Sequence, residues 1–167
     1  DEGCEVLPGS FTQRAMYDNW RRSREAERGM KYAANEKEYK YWKKSLKRQK
    51  VSDKAILLFY NWFKKHFNPE QFGGRADLPD LDELAQLGYE FYHPEIFGGE
   101  GNLEIGEAVY YAAKVDGFLS SKPFGCMPSS GVSDGVQSKI MSMYPDLNFL
   151  SIETSGDNEV SILSRVS

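Results

Sequence analysis

The chain has few cysteines and few histidines, and this scarcity excludes several classes of protein. Its 167 residues hold two cysteines, Cys4 and Cys126, and two histidines, His66 and His93. Two thiols are too few for a disulfide-bonded secreted scaffold and are typical of proteins from a reducing cytoplasm. The four side chains also match no zinc-binding spacing. We therefore predict a cytoplasmic protein without a self-sufficient metal site.

Long apolar runs and targeting signals are absent as well. No stretch approaches the roughly 18 apolar residues that cross a bilayer, which predicts no membrane partner. The chain begins with neither an initiator methionine nor the basic start of a signal peptide. We interpret this start as that of a piece cut from a longer polypeptide, and the length fits a single domain over residues 1–167.

Positive charge is concentrated in the N-terminal part of the chain. Residues 1–66 hold 16 lysines and arginines against nine carboxylates, and the remaining residues hold five against 16. The basic run from Lys37 to Lys50 is interleaved with aromatic residues, a composition that could bind nucleic acid. Alternatively, Tyr39, Trp42 and Leu46 pack inward from a helix whose charged face is solvated. We favour the second interpretation and predict no nucleic-acid partner, since the chain is acidic overall and carries no nucleic-acid-binding motif.

The first 66 residues predict one short strand followed by helices. The strand covers residues 4–8, and the helices cover 10–28, 35–50 and 52–63. Ser10 or Thr12 would cap the first helix, Gly29 would end it, and Ser52 would cap the third. The third helix is apolar nearly all round, so we expect it to be buried or to lie at a partner interface.

Residues 80–167 predict alternating helices and strands. Asp80 caps a short helix, a second helix follows Gly101, strands cover 115–120 and 147–152, and helices cover 129–143 and the C-terminal residues. This order with short loops is typical of parallel βαβ units whose strands are covered on both faces. The predicted fold is α/β, with a small parallel sheet of about three strands, a Rossmann-like half, and residues 10–66 as a helical insertion after the first strand.

The hexapeptide PFGCMP, residues 123–128, contains the main candidate site residue. Cys126 would follow the carboxyl end of a strand and precede a helix N-terminus, a position that favours a thiolate for metal binding or nucleophilic attack. The loop at residues 153–158 would emerge at the same edge of the sheet. The alternative is a half-buried structural cysteine.

Other candidate residues have weaker patterns. The N–H groups of Gly98, Gly99 and Gly101 could bind a phosphate of CoA or a nucleotide, but the P-loop lysine is missing and a helix-entry turn is the alternative. Further candidates are Glu100 as an acid/base or a first-turn anion and His93 near the Cys126 loop or at the surface. Ser129, Ser130 and Ser133 are expected to cap or line the start of a helix. Hydrolysis with Cys126 as nucleophile is disfavoured because no His/Asp pair accompanies it.

Several motifs together resemble one protein family. These are GGEGNLEIGEA at 98–108, VDGF at 115–118, PFGCMP, YPDLNFL at 144–150, and ETSGDNE at 153–159 followed by Arg165. Residues 93–167 resemble the C-terminal part of the acyl-CoA dehydratase activase-related proteins, which are linked to activators and subunits of (R)-2-hydroxyglutaryl-CoA dehydratase. Residues 1–92 are similar mainly in the order of their elements.

The resemblance implies an anaerobic, ATP-driven electron-transfer system acting on 2-hydroxyacyl-CoA or aromatic acyl-CoA substrates. In related dehydratase subunits three cysteines from separate segments hold a 4Fe–4S cluster, and Cys126 lies where one such ligand would fall. Segments with the other cysteines are missing, and Cys4 should lie at the opposite sheet edge. The cluster is thus expected in the full-length parent and not in this fragment.

The implied partners are the remainder of the parent chain and an activator ATPase or dehydratase subunit. The fragment itself is not expected to be catalytic or to hydrolyse ATP. The alternative function is a non-catalytic scaffold or docking module. In that case Trp20, Trp42, Trp62 and the basic run would meet an acidic protein.

Overall fold

The computed structural model describes residues 3, 5–7, 9–66, 78–96 and 101–154, and the chain divides into two units. The first unit contains residues 3–79 and the second contains residues 80–167. The boundary coincides with the change of character that the sequence shows at Asp80. The single-domain organisation over residues 1–167 stays a prediction.

The first unit is a helical hairpin of α1 (Phe11–Lys31) and α2 (Glu36–His66). The Ser10 hydroxyl oxygen accepts the N–H of Gln13 at 3.3 Å, so Ser10 caps α1. The prediction that Gly29 ends α1 is wrong, because the helix continues to Lys31. A Cβ at Gly29 would overlap the indole ring of Trp42, so this glycine allows α1 and α2 to approach closely.

α2 is a single helix of 31 residues, so the predicted break near residue 51 is wrong. Ser52 lies inside the helix, and its hydroxyl oxygen accepts the Asn19 side-chain amide at 2.8 Å. The Ser52 hydroxyl therefore bonds to a side chain of α1 instead of capping a helix. No residue of α2 is buried, which contradicts the expected burial of residues 52–63. The alternative, a partner interface, is untested.

The second unit begins with two packed helices. They are α3 (Leu81–Gly88) and α4 (Gly101–Ala112). An Asp80 carboxylate oxygen accepts the N–H groups of Asp82 and Glu83 at 2.9 and 3.0 Å, which confirms Asp80 as a helix cap.

The rest of the second unit is a parallel strand pair joined by a helical crossover. In chain order the elements are β1 (Gly117–Pro123), a π-helix (Pro128–Ser133), α5 (Asp134–Met143) and β2 (Asn148–Thr154). The strands pair in parallel from Gly117 opposite Asn148 to Pro123 opposite Thr154, which confirms the predicted βαβ unit.

The core of this unit lies where α4 and α5 meet the sheet. Ile105, Ala108 and Ile140 are buried together, and Phe118 of β1 packs against them. The sheet is not covered evenly, because Leu119 is 52% exposed whereas Ile152 is 3% exposed. The expectation of strands covered fully on both faces is therefore wrong for β1.

The described residues form a mixed α/β structure with two strands instead of about three. Residues 5–7, from the first predicted strand, are not in a strand. Cys4, Pro8 and the predicted C-terminal helix lie outside the described residues. Within the described ranges, no helix is both long and apolar enough to span a bilayer.

Candidate functional site

Cys126 lies just beyond the carboxyl end of β1. Gly125 has a φ of +77°, a conformation that favours glycine, and the Cys126 N–H donates to the Pro123 carbonyl at 3.2 Å. The Phe124 N–H donates to the Thr154 carbonyl at 3.1 Å. The loop that carries Cys126 therefore starts beside the end of β2, as the sequence predicts, and the cysteine is half-buried.

The thiol belongs to a short hydrogen-bonded chain. The Cys126 Sγ lies 3.3 Å from the Ser129 Oγ, and the Ser129 hydroxyl donates to Glu104 Oε1 at 2.7 Å. A hydroxyl has one proton, so while Ser129 donates to Glu104 the thiol donates to Ser129. A deprotonated or metal-bound sulfur would instead be an acceptor for the Ser129 proton.

A buried ionic cluster holds the two ends of this loop together. Lys122, 4% exposed, contacts the carboxylate of Asp134 and donates to the Ser151 hydroxyl at 2.7 Å. The Ser151 hydroxyl donates to Asp134 Oδ2 at 2.6 Å. Asp134 is the first residue of α5, which continues directly from the π-helix, and its backbone N–H donates to the Ser129 carbonyl. The Lys122 cluster thus joins β1, β2 and α5 and fixes the segment between residues 123 and 133.

Several buried polar atoms near these residues lack a hydrogen-bond partner among the described residues. They are Glu104 Oε2, Asp134 Oδ1, Asn102 Oδ1 and both amide atoms of Gln137. Gln137 is 3% exposed and lies one helical turn after Asp134. α4 and α5 therefore each carry buried polar atoms without a hydrogen-bond partner among the described residues.

Sequence reasoning missed Lys122, Asp134, Ser151 and the role of Glu104. One signal was available, because Lys122 is a lysine at the end of an otherwise uncharged strand. A charge at such a position is rarely buried without a partner. The partner could not be named, because Ser151 is 29 residues away in sequence.

The predicted phosphate-binding glycines are only partly described. Gly98, Gly99 and Glu100 lie outside the described residues, and Gly101 begins α4 and is buried. Phosphate binding there stays a prediction. His93 is exposed, accepts the Glu95 N–H at 3.2 Å through Nδ1, and lies near the Tyr89 ring; these contacts are typical of a surface histidine.

Ser129 and Ser133 line the start of the helical segment, which was one of the two predicted roles, and neither caps it. Ser129 donates to Glu104, and Ser133, which is buried and precedes α5, makes no side-chain capping bond. Both serines lie inside the π-helix at Pro128–Ser133, which continues directly into α5, so the predicted helix at 129–143 is confirmed. The side chain of Ser130 and the whole of Cys4 lie outside the described residues.

Large apolar side chains flank Cys126 and are exposed. Phe124 is 76% exposed and Met127 is 77% exposed. The half-buried thiol therefore has exposed apolar side chains on both sides of it in sequence.

The described residues offer one position for a soft metal ligand and not a complete site. No group of three or more His, Cys, Asp or Glu side chains within the described ranges could hold a metal ion. A 4Fe–4S cluster uses four ligands, usually thiolates. Cys126 fits one of them, and the others would have to come from elsewhere. Comparisons with protein-family models, curated proteins and solved structures find no match for this chain.

Proposed function

We propose that this chain contributes Cys126 as one ligand of a 4Fe–4S cluster in an ATP-driven electron-transfer assembly of the 2-hydroxyacyl-CoA dehydratase type. The observation that carries the proposal is a thiol held half-buried at the carboxyl end of a parallel strand, with Ser129 Oγ 3.3 Å from its sulfur. The resemblance of residues 93–167 to the activase-related proteins supports it. The assembly would work in the cytoplasm under anaerobic conditions.

The residues around Cys126 would serve such a ligand in distinct ways. A bound cluster supplies electron transfer at a potential that hydrogen bonds to sulfur help to set. Gly125 and the Pro123 carbonyl hold the Cys126 backbone in its turn. Ser129 would supply a hydrogen-bond donor to a coordinated sulfur, and the Lys122 cluster would keep the loop in place when electrons move.

The remaining ligands would come from the remainder of a parent chain or from an activator ATPase or dehydratase subunit. The exposed side chains of Phe124 and Met127 suit such a contact, because they would exclude water around the sulfur. We further propose that β1 and β2 belong to a larger Rossmann-like sheet of about three strands.

The test is the iron content of the assembly that contains this chain. The tagged chain is purified without oxygen from its own host, and iron and acid-labile sulfide are measured per polypeptide. We expect Cys126→Ala to lose most of the iron, since a thiolate ligand is removed. The matched thiol control Cys4→Ala and the neighbour control Met127→Ala should keep it. Unchanged iron in Cys126→Ala would contradict the ligand role.

A second function, a docking module, is favoured by one independent observation. The C-terminal half of α2 exposes large apolar side chains, including Leu58 at 71% and Phe59 at 63%, and directly follows the basic run from Lys37 to Lys50. Of the three tryptophans predicted for docking, only Trp62 is strongly exposed, at 52%. Trp20 stacks on Tyr17, and Trp42 faces Gly29 of α1.

A further inference from the structure

α2 carries one continuous row of exposed apolar side chains, which we name the outer stripe. The outer stripe consists of Val51, Ala55, Leu58, Phe59 and Trp62, all of them exposed. Residues 51, 55, 58 and 62 follow each other at alternating steps of four and three, so they lie along one line of the helix. That line is about 17 Å long at the rise of an α-helix.

The outer stripe lies on a different face of α2 from the one that packs on α1. Half-buried residues of α2 include positions 45, 49, 52, 56, 60 and 63, and Ser52 among them bonds to Asn19 of α1. The centres of the inner line and of the outer stripe are roughly 110° apart around the helix, and Phe59 lies on the side of the stripe that is nearer to the inner line. The rings of Phe59 and Trp62 stack with centroids 6.2 Å apart, and His66 lies 4.8 Å from Trp62. The exposed surface is therefore contiguous instead of scattered.

Charge around the outer stripe is almost entirely positive. Residues 43–66 contain eight lysines and arginines and one carboxylate, Asp53. Lys47, Lys54 and Lys65 recur at steps of seven and eleven and so line one edge of the stripe, whereas Asp53 falls on the far side of the helix. A second copy of the chain would bring like charges together, and an acidic partner would complement them.

We propose that the outer stripe binds an amphipathic helix of a partner protein, with apolar residues at heptad spacing and carboxylates beside them. A narrow apolar line at steps of four and three is the geometry of a helix–helix contact, whereas a helix lying on a membrane usually has a broader apolar face. This inference rests on the docking function and is independent of Cys126. The apolar anchors would supply the affinity, and the lysines would select an acidic helix.

The test uses the full chain and two synthetic peptides. The first is a helix about three heptads long, with leucine at the a and d positions and glutamate beside them, and the second replaces each glutamate with lysine. Binding of the fluorescently labelled peptides is followed by anisotropy. We expect the acidic peptide to bind, more weakly as salt rises, and the basic peptide not to bind.

Variants of the outer stripe locate the contact. Leu58→Gln and Trp62→Gln should each weaken binding of the acidic peptide by about tenfold, because each removes a central apolar anchor. The double variant Lys54→Glu with Lys65→Glu should weaken binding of the acidic peptide and reduce the salt dependence of that binding. Two matched controls are Tyr32→Gln and Lys37→Glu; Tyr32 is 71% exposed and lies at the far end of the hairpin. Each control should change the affinity for the acidic peptide by less than about twofold.

Three outcomes would overturn the inference. Equal binding of both peptides would remove the charge argument. If the acidic peptide does not bind and the chain instead binds phosphatidylserine vesicles, and if Leu58→Gln abolishes the vesicle binding, the partner would be a membrane. A dimer in sedimentation experiments that Leu58→Gln abolishes would make a second copy the occupant. None of these results bears on iron binding by Cys126, which is measured separately.

Discussion

Gly106 allows α3 and α4 to approach until their backbones touch. A Cβ at Gly106 would overlap the carbonyl of Leu84, and one at Gly88 would lie 2.9 Å from the Asn102 side chain. Asn102 in turn donates to the Tyr92 carbonyl at 3.0 Å. This crossing orients α4, the helix from which Glu104 accepts the Ser129 hydroxyl.

We predict that Gly106→Ala lowers the free energy of unfolding by about 1–3 kcal/mol, because the new methyl group has no space. Gly135→Ala on α5 is the matched control, since nothing lies within 4 Å of its Cβ position. It should be neutral or raise stability by up to about 1 kcal/mol through helix propensity. Urea denaturation measures both variants, and equal effects would contradict the close contact.

Single residues were predictable from sequence where their partners are local. Ser10 and Asp80 cap helices by bonding to residues two or three positions later; Asp80 was the predicted cap and Ser10 was one of two candidates. Gly29 and Ser52 were assigned wrongly as a stop and a cap, because their environment is set across the hairpin by Trp42 and Asn19. Propensity describes the local chain and carries no information about the opposite helix.

The Lys122 cluster acts between elements. It ties the end of β1 to the first residue of α5 and to the middle of β2. Two charges are costly to remove from water, and their attraction offsets that cost only when both are present. The sequence could not identify Asp134 and Ser151 as the partners of Lys122, because their approach to it depends on the register of β1 on β2 and on the packing of α5.

We predict that Lys122→Met lowers the free energy of unfolding by about 3–5 kcal/mol, since the Asp134 carboxylate is left without its cation. The double variant Lys122→Met with Asp134→Leu should recover most of this loss, because no unpaired charge remains. The exposed Lys139→Met is the control and should cost less than about 1 kcal/mol. Strictly additive effects in this double-mutant cycle would show that the two side chains do not interact.

At the scale of the whole chain, the sequence predicted the class of structure better than the number of strands in the sheet. The parallel βαβ unit was predictable because two apolar runs flank a helical pattern. The number of strands was not, because residues 5–7 are apolar enough for a strand and yet do not form one. The position of Cys126 at the end of β1 followed from topology, whereas its hydrogen bond to Ser129, and the bond from Ser129 to Glu104, could not be read from the sequence.

Charge also separates along the chain, and this has a measurable effect. We predict that the protein binds a sulfopropyl cation exchanger at pH 7 in low salt, although its net charge is −4, because local positive fields control such binding. Lys44→Glu with Lys47→Glu should lower the salt needed for elution. The control pair Lys114→Glu with Lys139→Glu makes the same change in net charge within the second unit. It should lower the salt concentration needed for elution by a smaller amount. Equal shifts would mean that net charge alone governs retention.

The parallel pairing of β1 and β2 also dictates an order of events during synthesis. An antiparallel hairpin can zip from its turn, but a parallel partner is available only after the whole crossover has been made. Thr154 follows Pro123 by 31 positions, about two to six seconds of translation at typical rates. During that interval β1 lacks β2, the strand that pairs with it among the described residues, so a chaperone that shields strand edges would raise the yield of folded molecules.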